Sequence, residues 1–441
     1  MKKIIAAVAL ILVIGASIPF CSGLIMEKTV RSAFQDMNTY FAAEGAGFAL
    51  EIINYDRGYL ASDIEWKIDP GALKALYQID EVVFKDHATH GLTGVVSITS
   101  LEKNPWYAAF VDEKLQGRDP IHISTVYGLF GSIDTTIALE AFSLIVENET
   151  VEVKPGSLVM ATDRKLKHFT STCNWQGLSA GEIFDIGEMS LSSNLEMLST
   201  FIWDGDAGFS LQNIKFQEKE NPFEIQDIKG KYRFDVADDQ TTMSWEALFS
   251  MDRLAAKDMN IDDASVRFVT KGLNVSGYEE FMRLYAQNVS EIFGQTALLQ
   301  NDPETAKEIM AKQMAAMGMK MLAVYEKLLK AGLELQVADL MIKLPEGDIT
   351  GGVTLRLLKD MTFMQFAPIV TQPELLFDIF YLKSDFSLPA ILAGDDPKLL
   401  TPVWPGMKTG LFVKNGDTLV HTAETTGGKL IVNSEEVVLT R

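Results

Sequence analysis

Apolar and polar positions change rhythm several times along this 441-residue chain. Residues 4 to 26, "IIAAVALILVIGASIPFCSGLIM", carry no charge and follow Lys2 and Lys3. Val30, Phe34, Met37 and Phe41 then recur at spacings of four, three and four, which predicts a helix over 27 to 45, ending at a glycine. After Phe48 the period becomes two. Phe48, Leu50 and Ile52 alternate with polar residues, and Ile64, Trp66 and Ile68 do so again beyond "YDRGY". That predicts a β-hairpin, with Asp56 as a turn former and Gly58 taking a positive φ. Arg57 would spread its donors onto nearby carbonyls or a carboxylate.

Strand-like runs continue through "GVVSITS", "STVYGLF", "IDTTIALEAFSLIV", "TVEVKPGSLVM" and "HFTSTCNW". A short strand, a polar turn and a longer strand recur in "FDIGEMSLSSNLEML", "MNIDDASVRFVTKGLNV" and "VADLMIKLPEGDITGGVTLRLL". The repeat is too degenerate for a regular solenoid. Two helical stretches interrupt the strands. In the second, Asp302 and Pro303 supply start signals, and Met310, Met314, Met317, Met321, Val324 and Leu328 form one apolar stripe. Two readings of the stripe stand: a helix packed on the sheet, or a helix whose flexible methionines cover an apolar groove. "GLFVKNGDTLVHTAETTGGKLIVNSEEVVLTR" closes the chain as a three-strand meander with turns at Asn415-Gly416 and Gly427-Gly428.

The expected fold is therefore α+β: an N-terminal transmembrane helix, then a β-rich body of long, curved, mostly antiparallel sheet with a helical insert. Residues 1–26 form the signal-anchor, 27–277 an N-terminal β-rich region, 278–332 the insert, and 333–441 a C-terminal β-rich region packed with the first.

Composition narrows the function more than the fold. A net charge of −21 repels nucleic acid. About 20 apolar residues suffice to span a bilayer as a helix. The run at 4 to 26 exceeds the core of a cleaved signal peptide, and no A-x-A site follows it. An uncleaved anchor is expected, with Lys2 and Lys3 cytoplasmic and everything after Met26 outside, which is the periplasm in a Gram-negative bacterium. Cys21 follows Phe20, which is too large for a lipoprotein signal. Cys173 has no partner in the exported part, so no internal disulfide is expected there.

Signatures of chemistry are missing. His87 and His90 share an H-x-x-H spacing in "KDHATHGLTG", read here as a polar loop rather than a metal site. There is no H-E-x-x-H, G-x-S-x-G, Walker loop or dinucleotide fingerprint. Paired aspartates such as Asp238-Asp239 sit in turn-like contexts, and 60 acidic residues make such pairs common. No catalytic residue, cofactor or metal is expected.

One resemblance covers nearly the whole length. Tyr55, Arg57, Gly58, Tyr59 and Ser62 match an aromatic-x-Arg-Gly-aromatic-x-x-Ser signature, and His90-Gly91 match a His-Gly-Pro element in which Leu92 replaces the proline. With "LELQVADLMIKLPEGDITGGVTLRL", "SDFSLPAIL" and the closing strands, the chain resembles the YdgA-like family of bacterial envelope proteins of unknown function. The resemblance implies an inner-membrane anchor and a β-rich periplasmic body, and it carries no catalytic residues. Two functions follow as expectations. The first is a non-enzymatic envelope protein sheltering a lipid or other apolar ligand in a curved sheet, with Met310, Met314, Met317 and Met321 as the candidate binding face. The second is a scaffold or assembly factor acting on another envelope protein or on itself.

Overall fold

The structure, a computed structural model, describes residues 2–43, 48–71, 81–146, 149–217, 221–257, 259–298, 311–312, 318, 321–362, 364, 372–393 and 410–437, with side chains undescribed at 2–16, 43, 289–298 and 373. The chain divides into two compact units. The first is Met1–Gly181, Ser190–Ile202 and Met282–Met317; the second is Glu182–Met189, Trp203–Phe281 and Gly318–Arg441.

In the first unit the two helical stretches expected before residue 45 are one. Helix α1 runs Lys2–Ala43 without a break and contains Pro19. A proline forfeits one hydrogen bond inside a helix, and neighbouring turns keep the rest. A meander of strands follows: β1 (Ala49–Arg57), β2 (Ala61–Asp69), β3 (Val82–His90), β4 (Gly94–Ser100), then helix α2 (Pro105–Leu115), β5 (Ile121–Gly128) and β6 (Ser132–Leu139). Each strand pairs antiparallel with the next. Beyond β6 the sheet continues through Gly156–Asp163 to His168–Trp175.

Helix α2 escaped the sequence reading. Pro105 opens it, and Tyr107, Val111 and Leu115 form its buried face. Buried Asn104 fixes its start to β3, donating to Val83 O at 2.6 Å and accepting from Val83 N at 2.8 Å. The core of this unit lies under α1, where Met26 and Val30 meet Ile64, Ala88 and Val95, flanked by Phe34, Ile52, Tyr55, Trp66 and Tyr127.

The second unit is built on long strands. Trp203–Gln217 and Pro222–Val236 form its longest hairpin, and Thr242–Met251, Asp263–Asn274, Glu334–Leu344, Gly347–Leu357 and Phe380–Pro389 extend it, all antiparallel. Its end is closed by Leu333, Leu357 and Met361 with Leu273, Leu329 and Phe380 around them. The last meander has four strands rather than three. Val413–Asn415, Thr418–Thr426, Lys429–Val432 and Glu435–Val437 are joined by turns at the two expected sites and a third at Asn433 and Ser434, both at positive φ. Asparagine tolerates that conformation, which is why the turn went unnoticed without a glycine.

Among the described residues, no helix is long and apolar enough to cross a membrane.

Candidate functional site

Two places hold the candidate residues that the sequence singles out or misses. The first is the underside of α1. Hairpin β1–β2 turns at Gly58, whose N–H donates to Ala61 O at 2.8 Å. Gly58 does not adopt the positive φ expected of it. Space imposes the glycine instead: a Cβ there would stand 2.9 Å from Ala61 O. Arg57 reaches α1, pairing with Glu27 at 3.4 Å and lying 5.1 Å over the Phe20 ring. Tyr59 stacks on the same ring at 6.2 Å, and Tyr55 lies under the Arg31 guanidinium at 5.2 Å. The signature residues therefore converge on the helix, from a hairpin whose alternation turns them to one side.

Ser62 and His90 complete this cradle. Ser62 Oγ is 2.8 Å from His90 Nε2, and His90 Nδ1 is 3.2 Å from Tyr59 O. A carbonyl only accepts, so Nδ1 carries the proton and Nε2 accepts from the serine. Such a pair polarises a hydroxyl, but both residues are buried. The helix backbone lies directly on the imidazole: a Cβ on Gly23 would fall 2.2 Å from His90 Cε1. The pair is thus a fastener beneath a helix. The polar loop expected around His87 and His90 is instead the end of β3. Three residues apart on a strand, the two histidines face opposite ways, with His87 exposed against Asp63 at 2.8 Å. No group of metal-ligating residues occurs among the described residues.

The same region holds polar atoms with little company. Tyr55 Oη, Arg57 Nη1, Asp86 Oδ1 and Ser97 Oγ are buried without a hydrogen-bond partner among the described residues. Burial pushes the Tyr55 phenol up to about 12 and raises Asp86 and Tyr127 above their ordinary ranges. Trp66 Nε1 donates to the other Asp86 oxygen at 3.0 Å.

The second place is one face of the long sheet in the second unit. Register puts Tyr232, Ala247, Phe268, Val337 and Val353 in one row across it. Phe234, Trp245, Thr270, Leu335 and Leu355 form the next. Phe209, Tyr232, Phe249 and Phe268 make an aromatic ladder, with ring centroids 6.5, 5.5 and 6.2 Å apart. Phe209 lies over Gly230, where a Cβ would be 2.1 Å from its ring. These aromatic side chains are partly buried and Leu335 is exposed, while Ala247 and Thr270 in the same rows are buried. The opposite face is polar and cross-linked. Arg267 bonds Asp339 at 2.8 Å, and Lys271 and Arg356 both reach Glu334.

Toward the chain end the apolar face closes. His421 sits between Phe386 and Phe412, and its Nε2 accepts from Ser384 at 2.8 Å while Nδ1–H donates to Leu411 O at 2.7 Å. This second buried Ser–His pair was not singled out from the sequence. Alternation around "SDFSL" and "LVHTA" was its available signal.

Of the candidate methionines, Met310, Met314 and Met317 lie outside the described residues. Met321 is buried, with 2% of its surface exposed. Cys21 is exposed and Cys173 partly so, both as free thiols.

The residues define an antiparallel β protein whose N-terminal helix is clamped by a hairpin signature. The chain belongs to the family described as Bacterial protein of unknown function (DUF945), whose model matches residues 1–440. No curated protein and no solved structure matches it.

Proposed function

We propose that this is a non-enzymatic cell-envelope protein, held in the bacterial inner membrane by its N-terminal helix with the body in the periplasm, that shelters a lipid or other apolar ligand on the aromatic face of its second unit. That face carries the reading. It spans six strands, about 24 Å at roughly 4.8 Å per strand. Large contiguous apolar patches mark binding surfaces. The uncharged run at residues 4 to 26 supports the anchor. Kinship with the YdgA-like envelope proteins is part of the same proposal.

Trp245 stands within the face and supplies the test. Brominated fatty acid added to the detergent-purified full chain quenches part of its tryptophan fluorescence, and Trp245→Phe removes that part. Equal quenching in parent and variant sinks the reading. The alternative, an envelope scaffold or assembly factor, uses the same face for protein contact. It gains if the chain self-associates or captures an envelope protein while lipid leaves Trp245 unaffected.

A further inference from the structure

We infer that one end of the first unit is itself a membrane-contact surface, dipping into the headgroup region of an anionic bilayer. The inference rests on the proposed anchor and adds a second, independent lipid contact to it.

The topology gathers the parts. In the meander, the turns β1–β2, β3–β4 and β5–β6 emerge at the same end of the sheet, as the pairings Ala61 with Thr89 and Gly94 with Gly128 require. The turn between Gly156–Asp163 and His168–Trp175 joins them, because Ser132 pairs with Asp163. Three of these turns present large apolar side chains to solvent. Tyr59 and Leu60 project from the first, Leu92 from the second and Phe130 from the third, with Leu60 and Leu92 about 60% exposed and Phe130 wholly so. The fourth turn is basic. Arg164, Lys165 and Lys167 are all exposed, in a chain of net charge −21. Its acidic neighbour Asp163 is engaged by the backbone N–H groups of Lys165 and Lys167 at 3.0 and 2.9 Å.

Helix α1 leaves the sheet at this same end. Phe34 packs on Trp66 in the body of the sheet, whereas Gly23 meets His90 and Phe20 meets Tyr59 at the turns. Its apolar run therefore points outward past the rim. The cradle also shortens that run. With one face of residues 20 to 26 held against protein, Phe20 and Leu24 staying exposed, residues 4 to 19 remain clear of the sheet, about 24 Å of helix at 1.5 Å per residue. The hydrocarbon core is about 30 Å thick. A short span draws its flanks into the interface, and here the flanks are Leu60, Leu92 and Phe130. Aromatic and basic residues side by side are the composition that interfaces favour. The shape, the sign of charge and the direction of the helix all select a phospholipid surface.

The test uses the full chain in phosphatidylglycerol vesicles. Nitroxide labels go at Leu92→Cys, Phe130→Cys and, at the opposite end of the sheet, Glu140→Cys, in a Cys21→Ala, Cys173→Ser background. Accessibility to oxygen relative to a water-soluble nickel chelate is expected to be several-fold higher at 92 and 130 than at 140. Exchanging the lipid for phosphatidylcholine lowers that ratio, and the Arg164→Glu, Lys165→Glu, Lys167→Glu variant abolishes the difference between lipids. If labels at 92 and 130 read like that at 140 while the chain resists alkaline extraction, the rim is wrong and the anchor stands. If alkali extracts the chain, the anchor falls. Loss of vesicle flotation by that extracted chain would remove the rim as well.

Discussion

The two units treat an apolar sheet face in opposite ways. In the first, α1 lies along it, and Met26, Ile64, Ala88 and Val95 are almost wholly buried as a result. In the second, a face carrying Phe209, Tyr232, Phe249 and Phe268 is only partly buried across long strands. The difference separates two uses of one chemistry. Side chains under a helix are committed to stability, whereas a face that keeps its exposure retains surface free energy that a ligand can release on binding.

The largest expected effect comes from forcing the covered face open. Gly23→Leu pushes a side chain into His90 and should cost about 3 kcal/mol. A clear drop in melting temperature by circular dichroism, with new proteolysis within α1, is expected. An unchanged melting curve removes the clamp. Matched truncations then compare the faces directly. Met26→Ala should cost about 3 kcal/mol and leave lipid quenching of Trp245 intact. Phe249→Ala should cost about 1 kcal/mol and weaken that quenching. Equal costs would mean that both faces are core.

Smaller effects sharpen the picture. Ser62→Ala leaves the His90 Nε2 without its donor, and Ser384→Ala does the same at His421. Each should cost about 2 kcal/mol, read from denaturant midpoints, and a large disparity would show that the pairs are not equivalent fasteners. The least effect is a pH dependence. Burial raises Asp86, so the folded state holds its proton to higher pH than the unfolded chain does. That contribution favours folding in acid and fades as pH climbs from the usual aspartate range through the raised value. Asp86→Asn should flatten this decline, its stability relative to the parent increasing with pH. A constant gap between the two melting curves speaks against it.

What was legible in the sequence was what repeats locally. Alternation at 48 to 68 places β1 and β2, and the paired patterns near "PEG" and "NGD" place the later hairpins. What escaped depends on partners far along the chain. Nothing near Gly58 reveals that its turn lacks room for a Cβ, so a positive φ was the natural inference from residue type alone. His90 looked like a loop residue because the helix that buries it lies more than 60 positions earlier. The aromatic ladder was hidden because its rungs come from Phe209, Tyr232, Phe249 and Phe268 on four strands, and only register brings them into line. Short α2, with 11 residues, lies at the lower limit of the length at which helical periodicity stands out.

Helix α1 has a mechanical consequence. It passes from its uncharged run into the core of the first unit with no linker between them. A unit on a flexible tether would tumble freely about it; one grown from a continuous rod keeps a fixed direction relative to that rod. Any twist or tilt imposed on the rod's outer end is transmitted to the sheet clamped along it. Pro19, just before the clamp, is the place where that stiffness would give first.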